Sequence, residues 1–166
     1  MGENVFFTPR VKLHFCQIQS RFELTNVDIA MNTLSENKQI VARFNREVIE
    51  QGNMQAFNEL VAADFVNHTA SPGTPKGPDG FAAFFTNILR PALPDLTVEL
   101  HDQIAEGDKV VTRKTISGTH QGMFLGVPAT GRHIRINVTD IVRIKNGQYA
   151  EHWGNADLHG ALAQMK

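Results

Sequence analysis

The 166-residue sequence is poor in several features, and each shortage excludes a class of protein. Cys16 is its only cysteine, which excludes an internal disulfide and fits a reducing compartment. The net charge is -1 and no Lys/Arg run occurs, so nothing favours nucleic-acid binding. No apolar stretch approaches the roughly 20 residues that a membrane-spanning helix needs. The first residues lack a continuous apolar segment, so we expect no secretory signal and a cytoplasmic protein.

Motifs that would assign a metal or an organic cofactor are also missing. The chain has no H-E-x-x-H pattern and no paired cysteines of the kind that bind zinc. It has no Walker loop, no G-x-G-x-x-G dinucleotide loop and no G-x-S-x-G nucleophile elbow. We therefore expect neither a metal nor a cofactor.

Length and composition indicate one soluble domain with a sizeable core. Hydrophobic residues make up 42% of the chain and charged residues 20%, which is ordinary for a globular protein. Residues 1–30 lack the helix and turn signals found later, so we predict a domain at 31–166 that follows an N-terminal extension. That extension is expected to add nothing to a pocket, with an arm packed on a partner subunit as the alternative.

Three helices are predicted in the first half of this domain. Thr33 and Glu36 have capping-box spacing at the start of the first, and Gly52 can end it in the left-handed conformation. Asn53 can cap a second, short helix. Pro78 suits the first turn of a third, whose apolar stripe is rich in phenylalanine.

The second half is predicted to form a meander of four strands. Alternating apolar residues run from Leu96 to Ile104, from Val110 to His120 and from Ile134 to Ile144. Asn146-Gly147 is a strong signal for a two-residue hairpin turn, after which Tyr149 to Trp153 returns. Leu158 to Met165 is predicted to form a closing helix. The order of elements indicates an α+β fold, with a curved antiparallel sheet wrapped around about three helices.

Asp140 is the sharpest candidate for a catalytic group. Period-2 alternation places it on the apolar face of its strand, among isoleucines and valines. A carboxylate there must find a partner, line a pocket or shift its pKa upward. A general acid/base role is one interpretation. The other is a carboxylate that closes a polar network, for example with the Trp153 indole or a threonine.

His152 lies on the strand that follows the hairpin turn and is the second catalytic candidate. Counting back from Asn146-Gly147, Ile144 should oppose Tyr149, Ile141 should oppose His152, and Asp140 should oppose Trp153. This register predicts that Asp140 and His152 face opposite sides of the sheet, unless a bulge near Gly154 reverses the alternation.

The remaining candidates lie at strand ends and in loops. Asp157 is a third catalytic candidate, although an N-cap at the start of the closing helix is the simpler explanation. Asn67, His68 and His120 flank the two Gly/Pro loops, where ligand contacts are common. Trp153 can stack on a flat ligand or pack in the core.

Four segments together resemble the SnoaL-like polyketide cyclases of the nuclear-transport-factor-2-like superfamily. They are E-V-I-E-Q-G-N; A-A-D-F-V-N-H before K-G-P-D-G-F; G-T-H-Q-G-M-F-L-G-V-P-A-T-G-R; and I-V-R-I-K-N-G-Q-Y-A-E-H-W-G-N-A-D-L-H-G-A-L. The resemblance implies a cone-shaped fold with a deep apolar pocket, a homodimer formed by the outer face of the sheet, and a small apolar or aromatic carbonyl ligand. It also implies an intramolecular aldol condensation that uses a carboxylate and no cofactor.

The resemblance can be followed residue by residue. Asn67 matches a pocket-lining asparagine, and His120 and His152 match two histidines of the family. Asp157 matches the aspartate that opens the closing helix. The catalytic aspartate of the cyclases lies two residues after the second histidine, where this chain has Gly154. Asp140 stands where the cyclases have a histidine, so we predict a rearranged site that does not run the aldol cyclisation in its usual form.

Two classes of function remain open from the sequence. The first is an acid–base enzyme on a small apolar carbonyl compound, with Asp140 as base and His152 or Asn67 as donor; isomerases and hydrolases of the superfamily are variants of it. The second is a non-catalytic protein that binds a small molecule. A buried Asp140 without a neutralising partner would favour the enzyme, and an Asp140 held in a core network would favour the second class.

Overall fold

Four helices and a five-stranded sheet make up residues 33–166, the part of the chain that the computed structural model describes. Helix α1 covers residues 33–50, and its last part, Phe44–Glu50, is π-helical. Helix α2 is Met54–Leu60. Helix α3 runs through Pro78–Ala83, a π-helical stretch at Phe84–Leu89, and Arg90–Ala92; α4 is Leu158–Gln164. None of these helices combines the length and the apolar character needed to cross a membrane.

Several helix boundaries fall where the sequence predicts them. Gly52 follows α1 with a φ of 72°, the left-handed conformation that glycine adopts without strain. The Asn53 side chain accepts hydrogen bonds from the backbone N–H groups of Gln55 and Ala56 and so caps α2. Pro78 lies in the first turn of α3. The predicted extension 1–30 lies outside the described residues, so its role stays a prediction.

The sheet contains the predicted meander and one strand more. Its strands are β1 (Val61–Asn67), β2 (Thr97–Glu106), β3 (Lys109–Thr119), β4 (His133–Lys145) and β5 (Gln148–Ala156), in the order β1-β5-β4-β3-β2. Strands β2 to β5 pair antiparallel, as predicted. Strand β1, however, pairs parallel with β5, which the chain reaches only after passing through α3 and strands β2 to β4.

The helices cover one face of the sheet, here called the inner face. Phe44 of α1 is central there, because its ring stacks on Tyr149 of β5 at 4.4 Å and on Phe81 of α3 at 5.8 Å. The π-helical turn of α1 brings the adjacent residues Phe44 and Asn45 both towards the sheet, and both are buried. The inner face therefore holds an aromatic core with a polar group beside it.

A bulge at Ala150 changes the predicted register of the β4–β5 hairpin. The Asn146-Gly147 turn has positive φ angles at both residues, and Ile144 opposes Tyr149 as expected. Arg143 then opposes Glu151, so Ala150 is an extra residue that reverses the alternation beyond it. The predicted pairing of Asp140 with Trp153 is therefore wrong: Asp140 opposes Gly154, and Trp153 opposes Ile141.

Candidate active site

The bulge places Asp140 and His152 on the same face, where their side chains meet. His152 opposes Val142, whose side chain is buried in the core, so both residues face the helices. His152 Nε2 lies 3.2 Å from Asp140 Oδ1. The ammonium of Lys114, from β3, lies 2.5 Å from the other carboxylate oxygen, Oδ2. Asp140 is 8% exposed, so this carboxylate is a buried group with a cationic partner on each oxygen whenever His152 is protonated.

The charge of Asp140 is set by these neighbours. Burial alone raises the pKa of a carboxyl group, but the nearby Lys114 ammonium and the His152 hydrogen bond outweigh it and hold the pKa of Asp140 well below its usual range. Asp140 is therefore ionised at neutral pH. It is also a weak base, because a carboxylate with a lowered pKa has little affinity for a substrate proton.

Asn67 holds the other nitrogen of the His152 ring. Its Oδ1 lies 3.0 Å from His152 Nδ1 and also accepts hydrogen bonds from the N–H and the hydroxyl of Thr69, at 3.1 and 3.0 Å. The Thr69 N–H identifies this atom as the amide oxygen, so Nδ1 acts as a donor. Nε2 faces a carboxylate, so the protonated ring satisfies both contacts at once.

Gly154 provides the space in which Asp140 and His152 meet. A Cβ atom at this position would lie 2.9 Å from His152 Cε1 and 3.0 Å from Asp140 Oδ1, closer than such atoms normally approach. The Gly154 N–H donates to Thr69 Oγ1 at 3.1 Å. The carboxylate of β4 thus lies directly against the position where a side chain of residue 154 would begin.

This arrangement predicts that Gly154→Asp disrupts the site rather than restoring it. The new side chain would push on the His152 ring and set a second carboxylate against Asp140, and like charges in a partly buried site repel. We expect the variant to lose about 1–3 kcal/mol of unfolding free energy through overpacking. Chemical denaturation of Gly154→Asp beside Gly77→Asp, a glycine with open space around it and a φ of -82°, measures the difference. Equal stability of the two variants would show that the site tolerates the side chain.

Lys114 and Asn45 belong to the site although the sequence reasoning passed over them. Lys114 Nζ donates to Asn45 Oδ1 at 2.7 Å, and Asn45 Nδ2 donates to the Val41 carbonyl at 2.8 Å. Alternation along β3 puts Lys114 on the same face as Val110 and Thr112, which is a signal for a buried lysine. Asp140 is thus partnered, as one of the two interpretations expected, but by Lys114 and His152 instead of Trp153 or a threonine.

Aromatic side chains surround this polar cluster on the helix side. The ring of Phe81 lies 5.1 Å from that of His152 and stacks on Phe65 at 4.8 Å. Burial, and then the charge of Asp140, raise the pKa of Tyr149 well above its ordinary value, so its phenol is neutral at pH 7. The cluster therefore has an apolar wall, which suits an apolar carbonyl compound.

His68 and Trp153 lie on the other face of the sheet. Their rings stack in parallel at 4.6 Å, and His68 Nε2 contacts Glu151 Oε2 at 2.9 Å. Lys109 Nζ lies 5.6 Å from the centre of the Trp153 ring. The sheet separates this outer cluster from Asp140 and His152.

Asp157 and His120 are also apart from the cluster. Asp157 caps α4, because its carboxylate accepts a hydrogen bond from the Gly160 N–H at 2.8 Å. The ring of His120 is fully buried at the end of β3, with Nδ1 3.0 Å from Thr130 Oγ1. Its Nε2 has no hydrogen-bond partner among residues 33–166. Of the seven predicted site residues, the structure brings together Asp140, His152 and Asn67.

Two open grooves on the surface lie beside the cluster without including Asp140 or His152. One, of about 580 Å³, runs between α1 and β2 and has Asn45 in its lining. The other, of about 620 Å³, has Arg113, Asp157 and also Lys114 of the cluster in its lining. Within the described part of the chain no three His, Cys, Asp or Glu side chains converge as a metal site. The deep apolar pocket implied by the resemblance stays a prediction.

Both the sequence and the structure of this chain match known proteins. The sequence pattern of the SnoaL-like polyketide cyclases matches residues 39–165. An aklanonic acid methyl ester cyclase, DnrD of Streptomyces peucetius, is 26% identical over 121 residues, which are 72% of this chain and 83% of that one. The structure of TsrD from Streptomyces laurentii matches with a TM-score of 0.72 at 29% identity, over 79% of this chain and 95% of that one. That of wild-type IdmH from Streptomyces antibioticus matches with a TM-score of 0.69 at 32% identity, over 78% and 97%.

Proposed function

Because the chain belongs to the SnoaL-like polyketide cyclase family, we propose that it is a cofactor-independent acid–base enzyme for a small apolar carbonyl compound. The observation that carries the proposal is the contact between Asp140 and His152 in front of Gly154. This contact places a carboxylate–histidine pair beside Gly154, the position at which the resemblance led us to expect a catalytic aspartate. A cyclase related to DnrD is the specific form of the proposal, with an aromatic polyketide ester as substrate.

The structure changes the roles that the sequence reasoning assigned. Asp140 is a weak base because Lys114 already neutralises it, so His152 is the group that moves the proton. In its neutral form the ring removes a proton from the carbon next to a carbonyl. Asp140 stabilises the imidazolium that results and fixes the orientation of the ring.

Ring closure needs no other reactant. The enolate carbon attacks a second carbonyl of the same molecule, a carbon–carbon bond forms, and the new alkoxide takes back the proton from the imidazolium. Substrate and product are isomers, so protons and electrons balance. The substrate would replace Asn67 at Nδ1, which accepts the α-proton in the neutral ring and then donates it to the new alkoxide, while the Nε2–H group stays hydrogen-bonded to Asp140.

The test follows proton removal and ring closure separately. The protein is incubated in D₂O with an aromatic polyketide methyl ester, and NMR records both deuterium at the α-carbon and the cyclised product. We expect both. Deuterium exchange without cyclisation would keep the acid–base enzyme and reject the cyclase. Binding of the ester with neither reaction would reject both.

A non-catalytic binding protein is the second candidate, and one observation favours it. Both oxygens of Asp140 and the ammonium of Lys114 already have hydrogen-bonded partners, so the network is complete without a ligand. A binding protein would hold the ester without exchanging its α-hydrogen, and replacement of His152 would change the affinity only.

We also propose that the outer face of the sheet forms a homodimer. Ile104, Val111, Ile141 and Trp153 are cross-strand neighbours on that face and make one apolar row from β2 to β5. Ile104 is 67% exposed and Ile141 38%. Contiguous exposed apolar surface of this kind is typical of an interface between subunits.

The proposed dimer predicts a change of mass after one substitution. Ile141→Lys would place a charge in the middle of the apolar row and should convert a dimer into a monomer, because an unpaired charge in an interface is costly to desolvate. Sedimentation equilibrium at micromolar concentration measures this. Ile88→Lys, an equally exposed position on α3, is the control and should stay dimeric. A monomeric unmodified protein would reject the proposal.

A further inference from the structure

Lys114 is a buried lysine that shares one carboxylate with a histidine. Its side chain is 4% exposed, and Asn45 and Asp140 hold its ammonium from two sides. His152 occupies the other oxygen of the same carboxylate. An ion pair between Asp140 and protonated His152 alone would already be electrically neutral, so Lys114 adds a second positive charge to a carboxylate that can balance only one.

We propose that Lys114 is a positioning residue that acts through Asp140 so that His152 releases its proton more readily. The inference rests on the proton-transfer function proposed above. The ammonium repels an imidazolium on the opposite oxygen and draws negative charge away from it, so Asp140 retains the ring proton less strongly. Without Lys114, the undivided charge of Asp140 would hold His152 in its protonated form, which cannot remove a proton from a substrate.

In residues 33–166, the other groups named as contacts of His152 and Lys114 carry no charge. Phe81 of α3 and Asn67 of β1 contact the ring, and Asn45 of α1 contacts Lys114. Tyr149 precedes the ring on β5 and stays neutral, because burial and the charge of Asp140 raise its pKa. Among the described residues that form this network, Asp140 and Lys114 are therefore the charges that decide how the ring titrates.

The experiment follows the ring of His152 directly. In ¹⁵N-labelled protein without substrate, NMR records the protonation of the two ring nitrogens as a function of pH. We expect Lys114→Met to retain the ring proton to a higher pH than the unmodified protein, by about one pH unit. A curve that coincides with that of the unmodified protein, or that moves to lower pH, would overturn the proposal.

Two further variants separate charge from packing. Asn45→Ala removes a hydrogen bond from Lys114 but leaves its charge, so the titration curve of His152 should not move. A shift as large as that of Lys114→Met would mean that packing, and not charge, sets the titration.

Should Lys114→Met fail to fold, Asn45→Asp replaces that variant, because a carboxylate beside Lys114 partly cancels the charge of the ammonium. A smaller upward shift is then expected, and no shift would overturn the proposal.

The outcome is distinguishable from that of the function test. A normal curve for Lys114→Met in a protein that exchanges α-hydrogens would reject the role of Lys114 and keep the function. The expected shift in a protein that exchanges none would reject the function and keep the electrostatic coupling.

Discussion

Asp140→Asn is expected to lower the free energy of unfolding by about 3–5 kcal/mol, since it leaves the Lys114 ammonium buried without a counter-charge. Equilibrium denaturation in urea at pH 7 measures this loss. The matched control is the double variant Asp140→Asn/Lys114→Met, which removes both charges and should recover most of the stability. A single variant as stable as the unmodified protein would show that the ion pair in the structure contributes little.

The same loss should depend on pH in a defined direction. The pKa of Asp140 in the folded protein lies below its unfolded value of about 3.9, so its stabilisation is fully present above that value. This stabilisation is lost as the pH falls through the lower pKa that Asp140 has in the folded protein. The difference between the unmodified protein and Asp140→Asn should therefore persist from about pH 8 to 5 and be lost only below about pH 4. A difference that already disappears at pH 6 would contradict an ionised, neutralised Asp140.

His152→Asn is expected to reduce α-hydrogen exchange by about 10²- to 10⁴-fold, the range typical for loss of a general acid–base group. The asparagine can still contact Asp140, so stability should change less than activity. NMR of the exchanging substrate measures the rate, and denaturation measures the stability of the same sample.

His133→Asn is the control for this substitution. His133 is an exposed histidine at the start of β4, away from the cluster, and its replacement should leave the exchange rate unchanged. If both variants kept the unmodified rate, His152 would not be the group that moves the proton. If both lost it equally, the effect of replacing His152 would not be specific.

Local signals in the sequence predict much of the fold because they act over a few residues. Gly52 ends α1, Asn53 caps α2, and Asn146-Gly147 forms the hairpin turn, each through backbone geometry that one or two residues decide. Alternation identified β2 to β5 for the same reason. The parallel pairing of β1 with β5 depends on a contact across the domain, and short-range patterns hold no signal for it.

The site was harder to predict because a single extra residue in β5 changes which side chains meet on the inner face. Ala150 looks like any other strand residue, yet its bulge moves Asp140 from opposite Trp153 to opposite Gly154 and so places the carboxylate beside His152. Lys114 could have been found, since alternation puts it on the inner face with Val110. The pairing of Lys114 with Asp140, however, depends on the β3–β4 register. It also depends on the turn of α1 that brings Asn45 within hydrogen-bond distance of Lys114.

The α-hydrogen exchange rate of the double variant Asp140→Asn/Lys114→Met tests the central claim most directly. This variant has no unpaired buried charge, so it should fold with nearly the stability of the unmodified protein, and it keeps His152. If the carboxylate of β4 acts with His152 in front of Gly154, the exchange rate should fall by about 10²- to 10⁴-fold while the protein stays folded. A folded double variant that exchanges α-hydrogens at the rate of the unmodified protein would contradict the claim that Asp140 acts with His152.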